Sequence, residues 1–93
     1  MRLTLEQREA IRQVVAEFDP SARAYLFGSR TDDAARGGDI DLLVFPSSLD
    51  GDRKRKLKLA LYSRLGAQKI DVVAAADDRD AFVRLIRKKG VEI

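Results

Sequence analysis

The fold of this chain is decided by one stretch, Gly37-Gly38-Asp39-Ile40-Asp41-Leu42-Leu43-Val44. Its apolar run predicts a buried strand from Asp39 to Phe45, which Pro46 then ends. Carboxylates are depleted from strands and are costly to bury without a partner. The two aspartates in this strand therefore require a particular explanation.

A second apolar run, Lys69-Ile70-Asp71-Val72-Val73, carries a third aspartate in a strand expected from Ile70 to Ala75. Side chains two residues apart on a strand face the same side, so Asp39 and Asp41 should project together. Asp71, on a strand expected to lie beside theirs, would complete the cluster. Three gathered carboxylates indicate a bound cation or a reaction.

Upstream, Tyr25-Leu26-Phe27-Gly28-Ser29-Arg30 predicts a strand from Ala22 to Phe27 that leads into a Gly-Ser turn. Gly28 would allow the backbone to approach a phosphate closely, and Ser29 offers a hydroxyl and a backbone N–H. Arg30, or Arg36 in the following loop, would neutralise a triphosphate.

The rest of the chain predicts three helices and a short C-terminal segment. Thr4 and Gln7 form a capping box for a helix from Leu5 to Phe18. A basic amphipathic helix is expected over 52–65 and ends at Gly66. A last helix runs to about Lys89, and Asp77-Asp78 before it would be its cap or a solvated turn. The expected inward residues are Leu5, Ile11, Val14, Val15 and Phe18 in the first helix, Leu57, Leu61 and Leu65 in the second, and Phe82, Leu85 and Ile86 in the third. Residues 91–93 would add an edge strand or a docking tail.

Composition limits the chemistry that the chain can perform. The 93 residues fit one domain, 1–93, and are 45% hydrophobic and 35% charged with a net charge of +3. There is no histidine and no cysteine, so imidazole catalysis and thiolate metal sites are excluded. Any metal must be held by hard oxygen ligands, which favours Mg²⁺ or Mn²⁺. No membrane span or signal peptide is expected, and the absence of cysteine fits the cytoplasm.

Three carboxylates suffice for a two-metal site, whose ions clamp the attacking and leaving oxygens of a phosphoryl displacement. In that scheme Asp39 and Asp41 ligate both ions. Asp71 holds the catalytic ion and receives, or helps release, the proton of the attacking hydroxyl.

The order of strand, Gly28-Ser29, Asp39-Ile40-Asp41 strand and later Asp71 closely resembles the minimal nucleotidyltransferase family, within the DNA polymerase β-like superfamily. The resemblance covers about residues 22–75. It implies an α+β fold, with a small mixed sheet of three to four strands and helices packed mainly on one face. It also implies Mg²⁺, with two ions, and a nucleoside triphosphate donor, usually ATP.

A chain of this size has little left to enclose a nucleotide, so another chain is expected to finish the site or to be the acceptor. The resemblance implies an antitoxin that forms a hetero-oligomer with a helical HEPN ribonuclease toxin and transfers AMP from ATP onto a toxin tyrosine.

Other interpretations stay open. The chain would alternatively be a catalytically silent module that neutralises its partner by binding alone. The basic run Arg53-Lys54-Arg55-Lys56 is either a solvated helix face or a binding surface for nucleic acid or an acidic partner. As alternatives to a role in the metal site, Asp71 could form an ion pair with a lysine such as Lys69, and Asp39 could be an ordinary turn residue.

Overall fold

The computed structural model describes residues 3–28, 40–66 and 69–93. Seven elements follow one another along these residues: α1 (Leu5–Phe18), β1 (Arg23–Phe27), β2 (Ile40–Phe45), α2 (Gly51–Leu65), β3 (Ile70–Ala74), α3 (Ala81–Lys89) and β4 (Val91–Glu92). The bounds predicted from the sequence are correct to within one residue for α1, β1, α2 and β3. Asp39, the predicted first residue of the second strand, lies outside the described residues.

The four strands form one mixed sheet in the order β3-β2-β1-β4. β1 pairs antiparallel with β2 and with β4, whereas β2 and β3 run parallel. The last segment of the chain is therefore an edge strand, one of the two alternatives that the sequence left open. At one end of the sheet, β1 finishes where β2 and β3 begin.

Helices cover the two faces of the sheet unequally. α1 and α2 pack on one face, where the strands contribute Ala24, Leu26, Ile40, Leu42, Val44, Ile70 and Val72. α3 packs on the opposite face through Val83 and Ile86, against Tyr25 and Leu43. The predicted α+β fold, a small mixed sheet with helices mainly on one face, is confirmed.

Local capping determines where the helices begin. The Thr4 hydroxyl accepts a hydrogen bond from the Gln7 backbone N–H, and the Gln7 side chain accepts one from Thr4, which confirms the capping box. The prediction that Asp77-Asp78 caps α3 is wrong. Asp80 is the N-cap and accepts from the Phe82 N–H, because the preceding aspartates are held in a turn in which Asp77 accepts from the Arg79 N–H.

Two predicted helix faces are also corrected. Leu5 is 80% exposed and Leu3, before the helix, is buried in its place. In α3 the buried residues are Val83 and Ile86, whereas Phe82 and Leu85 are 49% and 52% exposed. The sequence alone predicted the helical period of α3 but misplaced its face. None of the described helices is long and apolar enough to cross a membrane.

We expect Leu61→Ala to destabilise the fold by about 2–5 kcal/mol, because the fully buried side chain would leave a cavity between α2 and the sheet. The matched control, Leu59→Ala on the same helix, removes a side chain that is 59% exposed and should change stability by less than about 0.5 kcal/mol. Urea unfolding measures both variants, and equal losses would contradict the assigned core.

Candidate functional site

Asp41 and Asp71 lie side by side at the end of the sheet where β2 and β3 begin. They are direct register partners in the parallel β2–β3 pair. Neighbouring strands are about 4.7–4.9 Å apart, so the two carboxylates start from adjacent backbone positions on one face. Both residues are partly buried. The structure thus brings together two of the three predicted carboxylates.

The alternation of side chains fixes the face on which the pair lies. Ile40 and Leu42 on either side of Asp41 enter the core beneath α1 and α2, as do Ile70 and Val72 beside Asp71. Because successive strand residues point to opposite faces, both carboxylates project on the α3 side of the sheet. Asp41 is also the register partner of Phe27, so one row on this face runs Phe27–Asp41–Asp71.

The Asp71 carboxylate has no protein partner in the described part of the chain. Among residues 3–28, 40–66 and 69–93 it accepts no hydrogen bond and forms no ion pair, with Lys69 or with another cation. The alternative interpretation of Asp71 as half of a lysine ion pair therefore finds no support in these residues. A partly buried carboxylate beside a second one gains most from a bound cation.

Gly28 lies on the β1 side of the site and is in contact with the Asp41 side chain. Its φ is +78°, a backbone conformation that L side chains rarely adopt. A Cβ at this position would lie 3.2 Å from the Asp41 Cγ and closer still to Oδ2. The glycine of the predicted Gly-Ser turn is therefore required twice, by the turn and by the carboxylate packed against it.

Several predicted site residues lie outside the described residues. They are Asp39, the third carboxylate, and the phosphate-binding candidates Ser29, Arg30 and Arg36. Within the described ranges no group of three metal-ligating side chains occurs. The two carboxylates that are described offer hard oxygen donors, the ligand type that Mg²⁺ and Mn²⁺ prefer, and so they fit the expected metal.

The basic run of α2 does not belong to this site. α2 packs on the face of the sheet opposite the carboxylates, and much of its positive charge is used locally. Arg53 donates to the Phe18 carbonyl, and Arg55 and Lys56 both pair with Asp52. These contacts favour the interpretation of the run as a solvated helix face.

Sequence reasoning missed a groove beside the carboxylate pair, which we call the α3 groove. It has a volume of about 180 Å³, and the described residues that line it are Phe27, Gly28, Phe82, Leu85, Ile86, Lys89 and Gly90. The only signal in the sequence was the excess of large apolar residues on α3, which the sequence analysis assigned to the core.

We expect Gly28→Ala to destabilise the fold more than Gly66→Ala. Both glycines have a positive φ, but an added methyl group at Gly66 meets nothing within 4 Å. The difference between the two unfolding free energies measures the contact with Asp41. In an Asp41→Ala background that difference should shrink, and an unchanged difference would contradict the packing of this carboxylate on Gly28.

The comparison with known families agrees with this geometry. The family model described as "Polymerase beta, Nucleotidyltransferase" matches residues 9–93, from the middle of α1 through β4. No curated protein sequence matches the chain. The family match spans all four strands, including Gly28, Asp41 and Asp71. The chain therefore belongs to the polymerase β nucleotidyltransferase family.

Proposed function

We propose that the chain is a Mg²⁺-dependent nucleotidyltransferase that moves AMP from ATP onto a hydroxyl of a partner protein. The observation that carries this proposal is the pairing of Asp41 with Asp71, in register and on one face of the sheet. Family membership supports nucleotidyl transfer in general. The identities of the donor (ATP), the metal (Mg²⁺) and the acceptor (a partner hydroxyl) go beyond family membership and are part of the proposal.

Asp41 and Asp71 would hold the metal, with Asp39 as the expected third ligand. When bound, Mg²⁺ supplies positive charge to the attacking and leaving oxygens of a phosphoryl displacement. Two adjacent carboxylates repel one another, and a divalent cation between them relieves that repulsion. Replacing either aspartate by asparagine would therefore remove one of the negative charges that hold the cation.

The reaction would be an in-line displacement at the α-phosphorus of ATP. The acceptor oxygen forms a bond to that phosphorus, the bond to the bridging oxygen of the β-phosphate breaks, and pyrophosphate leaves. The Asp71 carboxylate, which has no partner among the described residues, accepts the proton of the acceptor hydroxyl and passes it to solvent. Gly28 would allow the phosphates to approach the backbone beside Asp41.

The partner belongs to the proposal because the carboxylates remain partly exposed, and α3 is the one described helix that packs on their face of the sheet. Ligand pockets commonly form between domains or subunits, so a second protein would complete the enclosure of ATP. Resemblance to minimal nucleotidyltransferases suggests the antitoxin of a pair, acting in the cytoplasm on a tyrosine of a HEPN-type toxin.

We expect Asp71→Asn to slow nucleotide transfer by about 100- to 10,000-fold, because it removes both a metal ligand and the proton acceptor. The assay follows label from α-³²P ATP into the protein encoded next to this chain, with Mg²⁺ present. The control is Asp52→Asn, on the exposed side of α2, which should keep full activity. Transfer by Asp71→Asn at the rate of the unmodified chain would refute the proposed mechanism.

A double variant that lacks both carboxylates distinguishes catalysis from binding. If the chain neutralises its partner by AMP transfer, the Asp41→Asn, Asp71→Asn double variant should bind the partner but fail to silence it. A double variant that still silences the partner would favour the catalytically silent module instead. Growth of cells expressing the partner, with and without each variant, gives the result.

A further inference from the structure

Two large apolar side chains in the lining of the α3 groove are exposed to solvent and do not pack in the core. Phe82 is 49% exposed and Leu85 is 52% exposed, although both belong to the nine-residue helix α3. Burying a side chain of this size would stabilise the protein, so these two positions leave favourable contacts unmade. Such exposed apolar residues next to a reactive site are typical of ligand contact.

The groove is continuous with the carboxylate pair. Its wall includes Phe27, the register partner of Asp41, and Gly28, against which the Asp41 side chain packs. A ligand that placed charged groups over Asp41 and Asp71 would therefore lie next to the groove. The groove and the carboxylates are two parts of one surface on the α3 face of the sheet.

The chemistry of the lining favours a planar aromatic group. The Phe27 and Phe82 rings meet edge to face, with centroids 5.7 Å apart at 87°. Leu85 adds a half-exposed aliphatic surface, and among the described residues of the lining Lys89 is the charged one. An apolar lining that ends in a cation suits an aromatic ring carried by an anionic ligand.

We propose that the α3 groove binds the base of the nucleoside triphosphate. The proposal rests on the function proposed above and assigns a place to one part of its substrate. A volume of about 180 Å³ is smaller than the roughly 300–1,000 Å³ of pockets that enclose a whole ligand. The groove therefore suits the base alone, while the triphosphate lies over Asp41 and Asp71.

A partner helix is the less suitable occupant. A helix lying in a groove uses anchors at positions i, i+3 or i+4, and i+7, which extend over about 10 Å. The α3 groove has a volume of only about 180 Å³, and Gly90 in its lining lies where the chain packs tightly against α3 and β1. A Cβ there would meet the backbone oxygens of Ile86 and Leu26 at 2.7 and 2.9 Å.

The test compares a ligand that has a base with one that lacks it. The full chain is titrated calorimetrically, in the presence of Mg²⁺, with ATP and separately with inorganic tripolyphosphate. Phe82→Ala should weaken ATP binding by about five- to 150-fold, as removal of a stacking ring does. It should leave the affinity for tripolyphosphate unchanged. The control Leu59→Ala, which removes a similarly exposed apolar side chain from α2, should change neither affinity.

Each outcome decides one of the two proposals. If Phe82→Ala binds ATP as tightly as the unmodified chain, or loses ATP and tripolyphosphate to the same extent, the base is not in the groove. If the variant binds ATP with unchanged affinity but no longer binds the partner protein, the groove is a protein interface and the inference is wrong. If the unmodified chain binds neither ligand, even with the partner protein present, the proposed function itself fails. Because Phe82 is half exposed, its replacement should leave the fold intact, and circular dichroism checks that each variant is folded.

Discussion

The carboxylates of Asp41 and Asp71 lie next to one another at the start of β2 and β3, and the packing of the sheet must offset their repulsion. Like charges placed directly opposite each other on neighbouring strands are destabilising. Ile40, Leu42 and Ile70, on the opposite face, are fully buried beneath α1 and α2, and burial of each contributes about 1.5–3 kcal/mol. The apolar face thus outweighs the repulsion. A slip of one residue would bury Asp41 and Asp71 in that core, so the register is strongly specified.

The unequal cover of the two faces determines where chemistry can occur. The face beneath α1 and α2 is an apolar core, whereas in the described part of the chain the other face carries the single helix α3. α3 buries Tyr25 and Leu43 but leaves Asp41 and Asp71, in the row at the end of the sheet, only partly buried. Gly28 ends the neighbouring strand without a side chain and so allows Asp41 to pack there. The carboxylates are positioned by a rigid sheet and remain accessible to a ligand.

Much of this arrangement could be predicted from the sequence, because alternation and capping are local. The period of two in the β2 segment placed Ile40 and Asp41 on opposite faces, and Thr4 with Gln7 marked the start of α1. The face of α3 could not be predicted in this way. Phe82, Val83, Leu85 and Ile86 are all apolar, so the helical period fits more than one face, and only packing against Tyr25 and Leu43 selects Val83 and Ile86. The α3 groove depends on that choice and was missed for the same reason.

The most direct test of the account asks where a divalent cation binds. Mn²⁺ can replace Mg²⁺ at oxygen sites and broadens the NMR signals of nearby nuclei, so ¹⁵N–¹H spectra of the labelled chain with ATP and sub-stoichiometric Mn²⁺ would locate it. The amide signals of residues 27–28, 40–42 and 70–72 should broaden first, while those of α2 stay sharp. Broadening confined to other parts of the chain, with the signals of Asp41 and Asp71 unaffected, would contradict the proposed metal site.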